Sequence, residues 1–110
     1  HIRRVRSFYL PFFHDAERIL ELGCGRGEFL EVLREAGKSV HGVELDAEMA
    51  QEAVSKGIDV SITDARSYLA STDASYDAII AAHLLEHLEV AEADDVVGLA
   101  AARLPRGGIL

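Results

Sequence analysis

Apolar residues along this chain fall into short runs that alternate with stretches of helical spacing. Residues 18–22 (Arg-Ile-Leu-Glu-Leu) run into Gly23 and predict a buried strand. Phe29, Leu30, Leu33 and Ala36 then recur at helical intervals, with Gly37 where a C-terminal cap belongs. Residues 39–45 predict a second strand. Asp46 is placed to cap a second helix, with Met49, Ala50, Ala53 and Val54 on one face and Gly57 closing it. A third strand over 60–63, a short helix over 65–70 and a fourth strand over 76–82 follow, the last around Ala78-Ile79-Ile80-Ala81-Ala82. A final helix over 92–103 leads through Leu104-Pro105-Arg106-Gly107-Gly108 into Ile109-Leu110. Ahead of all these lies an aromatic segment, 7–14, interrupted at Pro11.

Strands alternating with helices in this way predict an α/β domain: a mostly parallel, doubly wound sheet with helices on both faces. The 110 residues suit one domain, 1–110. A fifth strand only begins at Ile109, so the C-terminal strands are expected to be missing and the chain to be part of a longer polypeptide. With 11 Lys+Arg against 19 Asp+Glu, the net charge of −8 disfavours nucleic acid and anionic lipid as partners. The longest apolar run, 96–102, is far short of the ~18 residues that span a bilayer, and membrane insertion is not expected. A single cysteine offers no internal disulfide, which predicts a reducing, cytoplasmic setting.

The most informative segment is Glu21-Leu22-Gly23-Cys24-Gly25-Arg26-Gly27-Glu28, between the first strand and the first helix. Glycines there permit positive φ and let a ligand meet bare backbone, and the helix N-terminus beyond offers unpaired N–H groups. In an open parallel sheet, ligands bind beyond the carboxyl ends of the strands, where this turn lies. Glu44 closes the second strand 21 residues after Gly23, a spacing at which an acid accepts hydrogen bonds from ribose hydroxyls. Asp46, just beyond, is better placed as a helix cap. The glycines run G-x-G-x-G, and Glu28 stands where the dinucleotide fingerprint has its last glycine. A carboxylate beside pyrophosphate costs about 1 kcal/mol or more, which disfavours NAD.

With these features the chain resembles the class I S-adenosylmethionine-dependent methyltransferases. Their acid-x-Gly-x-Gly-x-Gly turn is matched by Glu21, Gly23, Gly25 and Gly27, and their acid after strand two by Glu44 in Gly42-Val43-Glu44-Leu45-Asp46. Asp64-Ala65, Tyr76-Asp77-Ala78-Ile79-Ile80 and Leu104-Pro105-Arg106-Gly107-Gly108 correspond to later motifs, the last with Pro and the basic residue exchanged. The resemblance implies a Rossmann-like fold, the cofactor S-adenosyl-L-methionine and the product S-adenosyl-L-homocysteine. It places Glu21 near the methionine amino group, the backbone of Gly23, Cys24, Gly25 and Gly27 along the methionine part, and Glu44 and Leu45 at the ribose side. It also places Asp64 and Ala65 at adenine and Ala82 and His83 beside the methionine, while Arg6 is a candidate partner for the methionine carboxylate. Arg26-Gly27-Glu28-Phe29-Leu30 and Tyr9-Leu10-Pro11-Phe12-Phe13 are similar to bacterial methyltransferases associated with surface polysaccharides, which implies a saccharide or small-molecule acceptor. Asp77 is expected to be structural.

His83-Leu84-Leu85-Glu86-His87 has the H-x-x-E-H spelling of certain zinc peptidases, in which two histidines share a helical face. No separate element downstream returns a third ligand, so no metal site is expected, and a zinc hydrolase using His83, Glu86 and His87 stands as the lesser alternative. His83 is instead the candidate general base, since imidazole titrates near neutral pH. A noncatalytic cofactor-binding fragment is the other alternative. Cys24 stands near a helix N-terminus, which favours thiolate, yet its small size suits packing in the turn. Glu89, Glu92, Asp94 and Asp95 read as a solvated face, and His41 as a histidine without a constellation.

Overall fold

A computed structural model of the chain describes residues 16–81, Leu84 and residues 88–104. Strands β1 (Arg18–Leu22), β2 (Ser39–Glu44), β3 (Val60–Ile62) and β4 (Ala78–Ile80) alternate with helices α1 (Glu28–Glu35), α2 (Ala47–Ser55), α3 (Ala65–Ser71) and α4 (Val90–Ala101). All strand pairs are parallel, in the order β3-β2-β1-β4. The chain therefore winds outward from β1 to β3, then crosses back to lay β4 on the other side of β1. The parallel, doubly wound architecture expected from the alternation, and the Rossmann-like fold that the resemblance implies, are the ones present.

Side-chain alternation along each strand sorts the core into two layers. Leu20, Leu22, Val43 and Ile79 face one side, where they pack with Ala65 and Leu69 of α3 and Val96 and Ala100 of α4. Ile19, Ala78 and Ile80 face the other and meet Leu30 and Leu33 of α1 and Ala53 of α2. Each large aliphatic side chain so buried contributes about 1.5–3 kcal/mol by leaving water. The helix faces are narrower than the sequence predicts. In α2, Ala50 and Ala53 are buried but Val54 is 46% exposed, and in α1 Leu30 and Leu33 are buried while Ala36 is exposed.

Most boundaries agree with the pattern to a residue or two. Asp46 caps α2, its Oδ1 accepting the N–H groups of Glu48 and Met49 at 3.0 and 3.2 Å. Two differences have local causes. The β4 ladder reaches only from Ala78 to Ile80, paired with Ile19, Leu20 and Glu21, and Asp77 ahead of it uses its side chain to hold the start of β1. Its Oδ2 accepts the N–H groups of Glu17 and Arg18, both at 2.9 Å, so Asp77 is structural, as expected. Helix α4 starts at Val90 rather than 92, because Glu92 Oε1 reaches back to accept the Glu89 N–H at 3.4 Å and draws the first turn forward. Among the described residues no helix is long and apolar enough to cross a membrane.

Candidate functional site

The carboxyl ends of β1, β2 and β3 converge with the N-terminus of α3 and one face of α4. Between them lies a cleft of about 290 Å³. Five residues singled out in the sequence line it: Gly23, Glu44, Leu45, Asp64 and Ala65. Val43, Thr63, Arg66, Leu84, Leu88, Glu92 and Val96 complete the wall.

The turn after β1 is a backbone built from left-handed glycines: φ is 75° at Gly23, 58° at Gly25 and 79° at Gly27. At Gly27 the space is taken as well, since a Cβ there would come within 2.9 Å of the Ala53 Cβ on α2. Gly27 is thus where α1 begins and where it touches its neighbour helix. The turn is pinned to β2 by the N–H groups of Gly23 and Cys24, both donating to the Val43 carbonyl at 2.8 and 3.1 Å. It is pinned again by Glu44, whose Oε1 accepts the Gly25 N–H at 2.7 Å and whose Oε2 accepts the Asp46 N–H at 2.9 Å.

Glu21 lies behind this turn, 7% exposed, with no hydrogen-bond partner for its Oε1. Burial and then the charge of Glu44 push its carboxyl up to about 8. Cys24 is buried beside it, its Sγ 3.7 Å from the Gly25 carbonyl oxygen. A Cβ on Gly42 would stand 2.5 Å from that sulfur, so the absence of a side chain on β2 is what admits the thiol. Burial, then Glu21 and Glu44, raise the thiol to about 12, so the favouring of thiolate expected from the nearby helix N-terminus is overruled and the packing role holds. Cys24, Gly25, Gly27 and Glu21 therefore form the support behind the cleft, whereas Gly23 reaches its wall.

Asp64 caps α3, its Oδ2 accepting the Ser67 N–H at 3.0 Å, and Ser67 holds the carboxyl below the usual carboxylate range. Arg66, two residues on, pairs with Asp95 of α4 at 2.7 Å. The acidic face read from the sequence is thus only partly a solvated one: Asp95 bridges two helices and Glu92 turns toward the cleft. Its signal was in the sequence, since Leu84, Leu88, Glu92 and Val96 recur every four residues.

His41 also has company. Its Nδ1 lies 2.9 Å from Asp59 Oδ2, its Nε2 lies 2.9 Å from Ser61 Oγ, and its ring stacks on Tyr68 at 5.4 Å. Tyr68 and Tyr76 share a hydroxyl–hydroxyl hydrogen bond of 2.5 Å. His41 on β2, Ser61 on β3 with Asp59 just before it, Tyr68 on α3 and Tyr76 ahead of β4 are brought together only by the fold, which is why no linear spacing betrayed them. Arg6, Ala82, His83, Glu86 and His87 lie outside the described residues.

A family model described as a methyltransferase domain matches residues 1–110. An uncharacterized methyltransferase of Anoxybacillus flavithermus is 31% identical over 91 residues, which cover 82% of this chain and 43% of that protein. The crystal structure of a SAM-dependent methyltransferase from Archaeoglobus fulgidus is 32% identical with a TM-score of 0.85, over 94% of this chain and 47% of that one. A SAM-bound amino pentose methyltransferase of Micromonospora echinaspora, from calicheamicin biosynthesis, is 27% identical with a TM-score of 0.76, over 97% and 47%. The chain thus spans less than half the length of these relatives.

Proposed function

The chain belongs to the S-adenosylmethionine-dependent methyltransferase family, and on that premise we propose that it binds S-adenosyl-L-methionine in this cleft and methylates a small-molecule or saccharide acceptor. The observation that carries this reading is the convergence on one cleft of Gly23, Glu44, Leu45, Asp64 and Ala65, with a buried, incompletely paired carboxyl behind it.

The donor set fits that ligand. S-adenosylmethionine has no phosphate but carries an ammonium and a sulfonium, and the acids here favour cations where pyrophosphate would be repelled. Bound, it supplies a methyl group already activated for in-line displacement, leaving S-adenosyl-L-homocysteine. Glu44 spends one lone pair of each oxygen on backbone N–H groups and keeps the others for the ribose hydroxyls. The orphaned Oε1 of Glu21, buried behind the glycine turn, is the acceptor offered to the methionine ammonium when the ligand seats. Asp64, with Oδ2 committed to the helix cap, presents Oδ1 to the adenine amino group, and the Ala65 N–H meets the ring. Leu45, Leu84, Leu88 and Val96 exclude water from the cleft, so the chain acts by proximity, orientation and desolvation.

Support for the acceptor class is the amino pentose methyltransferase among the similar structures, together with the net charge of −8, which disfavours nucleic acid. The free, buried Cys24 suits a reducing cytoplasmic setting. Calorimetric titration with S-adenosylhomocysteine, with NAD in parallel, tests the reading. One site near micromolar affinity, about −8 kcal/mol, for the first ligand alone supports it. Binding of NAD instead, or of neither by folded protein, refutes it.

A further inference from the structure

Among the described residues Glu21 is the one charged side chain in the buried core. It stands on β1 in register with Gly42 of β2 and Ile80 of β4, flanked by a residue with no side chain and by an apolar one. The buried thiol of Cys24 lies close by, and Glu44 is the neighbouring charge that acts on Glu21. Glu44 has two backbone N–H donors on its carboxylate, at 2.7 and 2.9 Å, whereas Glu21 Oε1 has none. A buried carboxyl beside another negative charge ionises reluctantly, and of Glu21 and Glu44 the buried one without donors on its Oε1 is the one that keeps a proton.

Resting on the cofactor reading above, we infer that Glu21 holds a proton in the free chain and releases it when the ligand's ammonium docks, so that cofactor capture is proton-linked. The O–H bond of Glu21 breaks, its electron pair stays on the carboxylate, and the proton passes to the buffer. The carboxylate then accepts an N–H from the ammonium. The neighbouring negative charge of Glu44 is compensated in the same event. The upward push on Glu21 to about 8 agrees with this geometry and sets the range. Below it, each unit of pH costs the ligand the work of removing one proton; above it, the dependence disappears. A nucleoside without the amino acid chain gains nothing from ionised Glu21 and leaves the proton where it is.

The test is calorimetry with S-adenosylhomocysteine at about pH 6.5, in two buffers of different ionisation enthalpy. Close to one proton released per ligand is expected, with Kd falling about tenfold per pH unit between pH 6 and 7. Adenosine should release none, and Glu21→Gln should bind S-adenosylhomocysteine with no release and a flat pH profile. Binding by the unaltered chain without proton release overturns this inference and leaves the cofactor reading standing. Failure of folded protein to bind at all overturns both. Carboxyl-carbon NMR of the free chain gives a readout that needs no ligand. One glutamate titrating well above its ordinary range, and lost in Glu21→Gln, is expected; all glutamates titrating near the ordinary ~4.3 overturns the inference.

Discussion

Glu44 accepts the Gly25 N–H at 2.7 Å, and through this one contact the end of β2 holds the glycine turn that follows β1. The same carboxylate binds the Asp46 N–H at 2.9 Å and lines the cleft. An acid read from the sequence as a ligand contact is thus also a brace. The left-handed glycines have no side chains to hold the turn, so its backbone N–H groups take acceptors supplied by β2. Gly23 and Cys24 use the Val43 carbonyl, and Gly25 uses Glu44.

Removing that brace should cost binding more than folding. Glu44→Ala loses two backbone bonds and the remaining lone pairs, and should weaken S-adenosylhomocysteine by roughly 1–3 kcal/mol in calorimetry. Glu44→Gln keeps one acceptor oxygen and should fall between the two. Unchanged affinity in Glu44→Ala, with native circular dichroism, would remove Glu44 from the site.

Glu21 makes stability depend on pH in the direction opposite to most carboxylates. Its folded value, about 8, lies above the 4.5 of the free group, so between those values the folded state retains a proton that the unfolded state has lost. Stability therefore falls as pH rises through that window and levels off above it. Glu21→Gln, which never ionises, should match the unaltered chain near pH 4.5 and exceed it at pH 8 by on the order of a few kcal/mol. Urea melts at the two pH values decide it; an equal effect at both would show that burial of the side chain, and not its charge, is what matters.

Gly27 is fixed by conformation and by space together. Gly27→Ala places a β-carbon at φ 79° and 2.9 Å from Ala53 Cβ, and should destabilise the fold by about 1–3 kcal/mol. Adding Ala53→Gly clears the collision but leaves the left-handed strain, so the pair should recover part of the loss beyond what Ala53→Gly costs alone. Additivity of the two changes in a double-mutant cycle would mean that the helices do not meet there.

What the sequence made legible is what depends on near neighbours. The short apolar runs and the helical spacings place every described strand and helix, and the Asp46 cap follows from its place before α2. Gly23 and Glu44 could be picked out because each sits at a strand end, and Leu45, Asp64 and Ala65 because they match motifs of a known family; parallel strands bring these positions together. The rest depends on contacts between distant elements. Nothing in the spacing of His41 announces Asp59, Ser61 and Tyr68 around it, and nothing next to Cys24 announces that Gly42 makes room for its sulfur. The expected pull of a helix N-terminus on that thiol was local reasoning, whereas burial, with Glu21 of β1 and Glu44 of β2, decides the outcome.

Cys24 gives that contest a chemical readout, because it is the only cysteine in the chain. Alkylation requires thiolate, and a thiol raised to about 12 and buried against the turn has almost none at pH 8, on the order of one part in ten thousand. Iodoacetamide at pH 8 should therefore modify the folded chain far more slowly than the urea-unfolded chain, at a rate that tracks opening of the structure. Glu44→Gln removes one of the two charges that disfavour thiolate and also loosens the Gly25 N–H, so both effects should speed alkylation. Glu21→Gln removes the other charge while it stabilises the fold at this pH, so faster alkylation there must come from electrostatics alone. A folded chain that reacts at the rate of the unfolded one would mean that the thiol faces solvent and that the turn does not pack as described.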